Sequence, residues 1–290
     1  MKFIKFLDTI NKTDIPYVGS KAANLAELSR IGMYIPQGFV ILTNAFKVFL
    51  QKNKIDTLII RVLTKKNLKN LKSLTHISAT IRRAILKGYM PKDMKEDILN
   101  AFICLKSKYV AVRSSANIED NKFNSWAGQF ETFLNIKKEK LITHVKKCWA
   151  SLYSARALFY RAHNRLTYKR KISMAVIVQK MIYPDIYGIC FTVHPVTKAN
   201  NQIVIEVRSK LKKSNVDMYI ITKNPLRITE INRPSLKDTK LKYKTLKKLA
   251  KICLKIENYY QYPQDIEWAL AKDKFYILQT RPVTSLYLRK

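Results

Sequence analysis

PQDIEWALAKDKFYILQTRPVT, residues 263–284, reads as two strands folded back on each other. Asp265–Leu270 and Phe275–Arg281 are rich in aromatic and branched side chains, and Lys272, Asp273 and Lys274 between them have turn character. A three-residue turn sets Glu267 opposite Gln279 and Asp265 opposite Arg281. Side chains alternate faces along a strand, so all four then share one face of the sheet. A carboxylate beside an amide oxygen is a hard-oxygen pair suited to Mg²⁺, which takes few protein ligands and completes its shell with water and phosphate oxygens. The planar fork of Arg281 suits a phosphate. The same residues also describe a purely structural Asp265–Arg281 ion pair with Glu267 in solvent, and another turn length would move Gln279 off this face.

Upstream of the hairpin the chain divides by pattern. Met174–Met181, Tyr187–Val193, Ile203–Val207 and Met218–Thr222 are β-branched or aromatic runs, and a helix over 235–260 separates them from the final pair. Before residue 170 helices dominate: one opening at Gly19-Ser20-Lys21 and closing at Gly32, one capped by Thr43 or Asn44, a helical lysine-rich stretch over 55–105, and a long helix over about 139–163. Short strands are expected at Phe3–Leu7, Phe39–Leu42 and Tyr109–Val112. The expected fold class is α+β with two packed subdomains, roughly 1–170, helix-rich, and 171–290, strand-rich.

The chain has 290 residues and a formal net charge of +35, from 55 Lys and Arg against 20 Asp and Glu. Hydrophobic residues make up 47%, enough for a proper core, which excludes disordered and low-complexity classes. Only 6 glycines occur, with no G-x-G-x-x-G or G-x-x-x-x-G-K-[ST], so glycine-rich Rossmann and P-loop sites are excluded. The charge is concentrated: 11 Lys or Arg against one acid over 137–171, and 8 Lys against one acid over 235–256. Two explanations stand, a coding bias towards lysine or a nucleic-acid surface. Cys104, Cys148, Cys190 and Cys253 are scattered and read as buried reduced thiols, while His76 and His194 have no local catalytic partners. No signal peptide and no membrane-spanning run is read, so a cytoplasmic protein with no membrane partner is expected.

Two further places could hold chemistry. Val112-Arg113-Ser114-Ser115-Ala116 puts an arginine and two hydroxyls at an expected strand end, before a polar loop containing Gly128 and leading to Thr132. Arg113 there could contact a phosphate and Gly128 allow close backbone approach, or the segment could be a hydroxyl-rich turn. Lys21 at a helix start opposes the helix dipole unless an anion lies nearby.

Five ordered blocks carry a resemblance: VGSKAANLAELSRIGMYIPQGFVILTNAF (18–46), VAVRSSANIEDNKFNSWAGQFETFLNI (110–136), CWASLYSARALFYR (148–161), MAVIVQKMIYPDIYGICFTVHPVT (174–197) and the hairpin at 263–284. The chain resembles the nucleotide-binding domain of the phosphoenolpyruvate synthase (pyruvate, water dikinase) and pyruvate phosphate dikinase family. That resemblance implies an ATP-grasp-like fold in which two subdomains clasp ATP and Mg²⁺, and passage of a phosphoryl group from ATP to a histidine. It further implies that Lys21 and Arg113 contact phosphates, Gly128 and Thr132 belong to the nucleotide loop, and Gln179 lies on the adenine-side strand. Glu267 and Gln279 become the metal pair and Arg281 the last phosphate contact, with Arg113 and Arg281 the catalytic cations. Phosphohistidine and pyruvate-binding domains are expected on a separate partner chain.

The sequence departs from the family pattern at Arg208-Ser209-Lys210-Leu211-Lys212-Lys213-Ser214, where the family has a Gly-Leu-Gly-Glu loop, and at Ser20 and His194. Thr75-His76 lacks the glycines of a phosphohistidine motif. The altered loop keeps an alternative open, a catalytically degenerate relative that binds nucleic acid or another polyanion.

Overall fold

The computed structural model describes residues 1–64, 70–116, 131–163, 173–209, 216–232 and 241–283. Two compact units, each built on its own antiparallel sheet, make up the chain. The α+β class is as expected, but the helix-rich first half also contributes four strands of a five-stranded sheet.

The first sheet comprises β1 (Ile4–Phe6), β2 (Gly38–Ile41), β3 (Val110–Ala116), β4 (Thr132–Ile136) and β5 (Met174–Lys180), in the order β1-β2-β5-β3-β4. β5 pairs with both β2 and β3, so the first unit extends to Met181 rather than to about 170, while Asn24–Pro36 belongs to the second unit. Alternation decides the two faces. Phe39, Ile41, Val110, Val112, Ala116, Met174, Val176 and Val178 point into a core with Trp149, which stacks on Phe46 at 5.2 Å and tilts against Phe49 at 5.0 Å.

Helices α2 (Thr43–Lys52), α3 (Ile55–Thr64), α4 (Leu71–Lys87), α5 (Lys92–Cys104), α6 (Lys138–Ser151) and α7 (Ala155–His163) belong to this unit. Thr43 is the first residue of α2 rather than its cap, and its hydroxyl donates to the Pro16 carbonyl instead. The long helix expected over 139–163 is two helices. Ser154 Oγ accepts from Ala157 N at 3.1 Å and starts α7 afresh, while Tyr153 N returns to the Ala150 carbonyl to end α6.

Helix α1 (Ile15–Arg30) is interrupted at Gly19, whose φ of 76° only glycine adopts without strain. Regular helix therefore starts beside Lys21, as read from the sequence. Gly32, with φ of 84°, closes it as expected, and Met33 N reaches back to the Leu28 carbonyl.

The second sheet runs β11-β10-β6-β7-β8-β9, with β6 (Ile186–Phe191), β7 (Gln202–Ser209), β8 (Asp217–Thr222), β9 (Arg227–Asn232), β10 (Gln264–Ala271) and β11 (Lys274–Pro282). One face buries Cys190, Ile205, Tyr219, Ile266, Trp268, Phe275 and Ile277 with helix α8 (Tyr243–Tyr260). The sequence missed β4 and β9, whose residues are mostly exposed and lack a buried alternating stripe.

Gly188 sits centrally in β6, between Trp268 and Val207. A Cβ there would lie 1.9 Å from the Glu206 carbonyl oxygen and 3.0 Å from the Trp268 ring. Gly188→Ala is expected to cost about 1–3 kcal/mol through overpacking, read as a lower urea midpoint at unchanged slope.

Burial also gives the first unit a pH dependence. The Tyr153 phenol is pushed up to about 12 by desolvation, partly opposed by Arg161. Its folded value lies above the unfolded one, so the folded state holds this proton more tightly. The stability it contributes is complete below about pH 10 and is lost as pH rises through about 12, a change on the order of 2–3 kcal/mol. Tyr153→Phe should flatten this part of a urea-denaturation series between pH 9 and 12.

Candidate functional site

In each sheet the face turned away from the helical core carries the polar residues singled out from the sequence. In the first unit, Arg113 pairs with Ile177 on one side and Thr132 on the other, and Gln179 pairs with Ala111 and Gly38. Directly paired residues share a face, so Arg113, Thr132 and Gln179 stand together opposite the core. Arg113 lies inside β3 rather than at its end, because the strand continues to Ala116. Arg113 and Gln179 are buried, at 8% and 3% exposure, and Thr132 is exposed. Gly128 lies outside the described residues.

Lys21 is brought to the same face by the docking of α1. Ser115 Oγ donates to the Val18 carbonyl at 2.9 Å and accepts from Ala22 N at 3.3 Å, binding the backbone on both sides of Lys21. A Cβ on Gly19 would stand 2.4 Å from both the carbonyl oxygen and Oγ of Ser115, so the close approach needs glycine. Gly38 has a similar role: a Cβ there would meet Gln179 Cγ at 2.8 Å and the Val178 carbonyl oxygen at 2.5 Å. The sequence reading missed Ser115 and Gly38 as supports. Their signal was a small residue beside each candidate, which is weak without knowledge of the pairing.

In the second unit the hairpin pairs Asp265 with Arg281 and Glu267 with Gln279, the expected partners reached by a different route. The turn has two residues, Lys272 and Asp273, with φ of 49° and 58°, a primed turn that lacks the usual glycine. Pairing runs from Ala271↔Lys274 to Trp268↔Ile277 and then shifts by one, with Leu278 as the extra residue of a bulge. Without that bulge Leu278 and Thr280 would oppose Glu267 and Asp265.

The shared face continues across β6 and β7 through Ile189 and Phe191 to Glu206 and Val204. Arg281 lies against Asp265, with Nε at 2.8 Å and Nη2 at 2.7 Å from the same carboxylate oxygen. The structural ion pair and the Glu267/Gln279 pairing thus coexist. On the opposite face Thr280 Oγ1 donates to Gln264 Oε1 at 2.7 Å, fixing the strand pair from beneath. Arg208, in the segment that departs from the family loop, lies in β7 with its Nη2 3.6 Å from Glu206 Oε2.

Among the described residues no three His, Cys, Asp or Glu side chains stand together as a metal cluster. A cation at Glu267 and Gln279 would therefore have one carboxylate, one amide oxygen and mostly non-protein ligands. This donor set fits Mg²⁺ and does not fit Zn²⁺ or the all-protein cages of Ca²⁺.

The sequence matches the pyruvate phosphate dikinase AMP/ATP-binding domain family over residues 15–209 and 206–289. Probable phosphoenolpyruvate synthases of Methanocaldococcus jannaschii and Methanothermobacter thermautotrophicus are 35% and 32% identical to it, each over 99% of this chain and over 27% and 46% of their own lengths. Rifampicin phosphotransferase of Bacillus cereus is 34% identical over 98% of this chain and 36% of its own. The chain thus spans between about a quarter and a half of the curated relatives it matches. D-alanine–D-alanine ligase of Helicobacter pylori aligns with a TM-score of 0.35 at 9% identity, over 73% of this chain and 55% of the ligase, a likeness too distant to carry weight.

Asp265 is buried and Arg281 partly exposed, with side-chain exposures of 8% and 28%, so their pairing should be measurable. A double-mutant cycle with Asp265→Asn and Arg281→Gln is expected to give a coupling of about 1–2 kcal/mol in urea denaturation, above the usual surface pair.

Proposed function

The chain belongs to the pyruvate phosphate dikinase AMP/ATP-binding domain family, and we propose from that membership that it binds ATP with Mg²⁺ and passes a phosphoryl group to a histidine on a separate chain. The observation that carries the proposal is the grouping of every described candidate on the non-core face of its sheet. Lys21, Arg113, Thr132 and Gln179 form one group, and Glu267, Gln279 and Arg281 the other.

In this reading Gln179, buried beside Gly38, hydrogen-bonds the adenine, and Lys21 and Arg113 hold the phosphates. Gly128 and Thr132 contribute the nucleotide loop. Glu267 and Gln279 hold Mg²⁺, which when bound neutralises phosphate charge and screens it from an incoming nucleophile. Arg281, kept in place by Asp265, carries its positive charge towards the transferring group. Transfer forms a bond between phosphorus and an imidazole nitrogen as the P–O bond to the rest of the nucleotide breaks, leaving negative charge on the departing oxygen. Fixed cations stabilise that charge as it develops, and for phosphoryl transfer they supply most of what a protein must.

The partner would carry the phosphohistidine and pass the group on to pyruvate, and the reaction belongs in the cytoplasm, where ATP and pyruvate meet. No described helix is long and apolar enough to cross a membrane.

Calorimetry of the full chain with ATP tests the reading. Saturable binding that strengthens with Mg²⁺ is expected. Arg281→Ala should weaken it about 10- to 100-fold, the loss of one or two charge-assisted hydrogen bonds, and Glu267→Ala should remove the Mg²⁺ dependence. A folded wild type that binds no ATP in the presence of Mg²⁺ would overturn it.

A further inference from the structure

Helix α8 buries Leu246, Leu249, Ala250, Cys253 and Ile256 against the second sheet. Its opposite side carries Lys244, Lys247, Lys248, Lys251 and Lys255, all exposed. At 100° per residue these five fall within an arc of about 100°, and the helical rise spreads Lys244 to Lys255 over about 16 Å. No acid occurs on α8 before Glu257, and that carboxylate is held by Lys223 Nζ at 2.7 Å from each oxygen. The stripe is therefore a continuous row of ammonium groups without internal counter-ions.

Helix physics disfavours such a row. Lysines three and four apart face each other on a helix and repel. Lys244 in the first turn adds charge of the wrong sign for the dipole, with no acid there to offset it. A general lysine bias in coding does not account for it, because the outer face of helix α5 is subject to the same bias and interleaves Lys92 and Lys95 with Asp93, Glu96 and Asp97.

The chemistry of the stripe selects among anionic partners. Its exposed rings are two tyrosines, Tyr243 at the first turn and Tyr259 at the last, and it exposes no Leu, Ile, Phe or Trp of the kind that surface-bound membrane helices insert. It uses lysine throughout, a point charge without the planar fork of arginine, and so suits regularly repeated phosphates rather than individual carboxylates or base edges. We propose that the outer face of α8 is a docking strip for the phosphodiester backbone of nucleic acid, engaged without sequence preference. The proposal is independent of ATP binding, since none of these lysines belongs to the candidate nucleotide site.

Neutralising about five phosphates predicts a slope of log K against log salt near −4.5 on duplex DNA. Lys255 also donates to the Ile31 carbonyl at 2.8 Å and Lys247 lies over the Tyr243 ring, so Lys244, Lys248 and Lys251 are the residues to change. Anisotropy of two labelled duplexes of unrelated sequence, titrated with the full chain between 50 and 200 mM salt, should give equal affinities and a slope between about −4 and −5. K244E/K248E/K251E should flatten the slope by about 2.7 and lower affinity at least about tenfold at the low-salt end. A charge-matched control, K87E/K92E/K95E, should change far less. If the glutamate triple melts early, K244Q/K248Q/K251Q carries the same comparison. The proposal is overturned if the wild type binds no duplex at 50 mM salt, or if the control triple loses as much as the α8 triple. It is equally overturned if polyglutamate or phosphatidylserine vesicles bind as tightly as duplex and respond equally to the α8 changes.

Discussion

One extra residue in the last strand fixes the chemistry of the second unit. The two-residue turn at Lys272 and Asp273 starts a register in which Glu267 would face Leu278 and Asp265 would face Thr280. The bulge at Leu278 advances β11 by one position and exchanges these partners for Gln279 and Arg281. Because strand side chains alternate strictly, the same shift keeps Phe275 and Ile277 in the core while sending the amide and guanidinium to the other face. The Asp265–Arg281 ion pair above and the Thr280–Gln264 hydrogen bond below then hold the shifted register from both sides.

The first unit solves the same problem with glycine and serine. Its sheet packs helices on one face, and only small residues on the other let backbone and polar side chains come close. Gly19 lets α1 settle on Ser115, and Gly38 leaves room for Gln179. With few glycines in the whole chain, two spent on this face indicate how little spare volume it has. The placement of Lys21 and Gln179 on this face thus depends on residues that bear no charge.

The hairpin partners were legible from the sequence because alternation of types survives any turn geometry that preserves parity, and here the bulge restored the parity that the shorter turn removed. The turn itself was misread, since Lys272-Asp273 lacks the glycine that usually marks two-residue hairpins. Arg113 was recognised but set at a strand end, because hydroxyls at 114 and 115 look like a turn until Ser114 and Ser115 are seen bonded to Glu131 and Val18. Strands β4 and β9 were invisible for a different reason. Neither buries a regular stripe, so neither left a period in its hydrophobicity. The break at Ser154 was hidden within a continuous helical pattern that only the capping hydrogen bond interrupts.

The cysteines were expected to be buried, and three are. Cys190 and Cys253 lie in the second core, where burial and then the hydrogen bond between them push the Cys190 thiol well above its usual range. Cys148 is enclosed by the first core. Cys104, at the end of α5, is the exposed one. A thiol-reactive dye or spin label added to the native protein will therefore report from a single place in the first unit, far in sequence from the second-unit candidates. The wild-type chain already carries a site-specific handle, with no cysteine to remove and none to introduce.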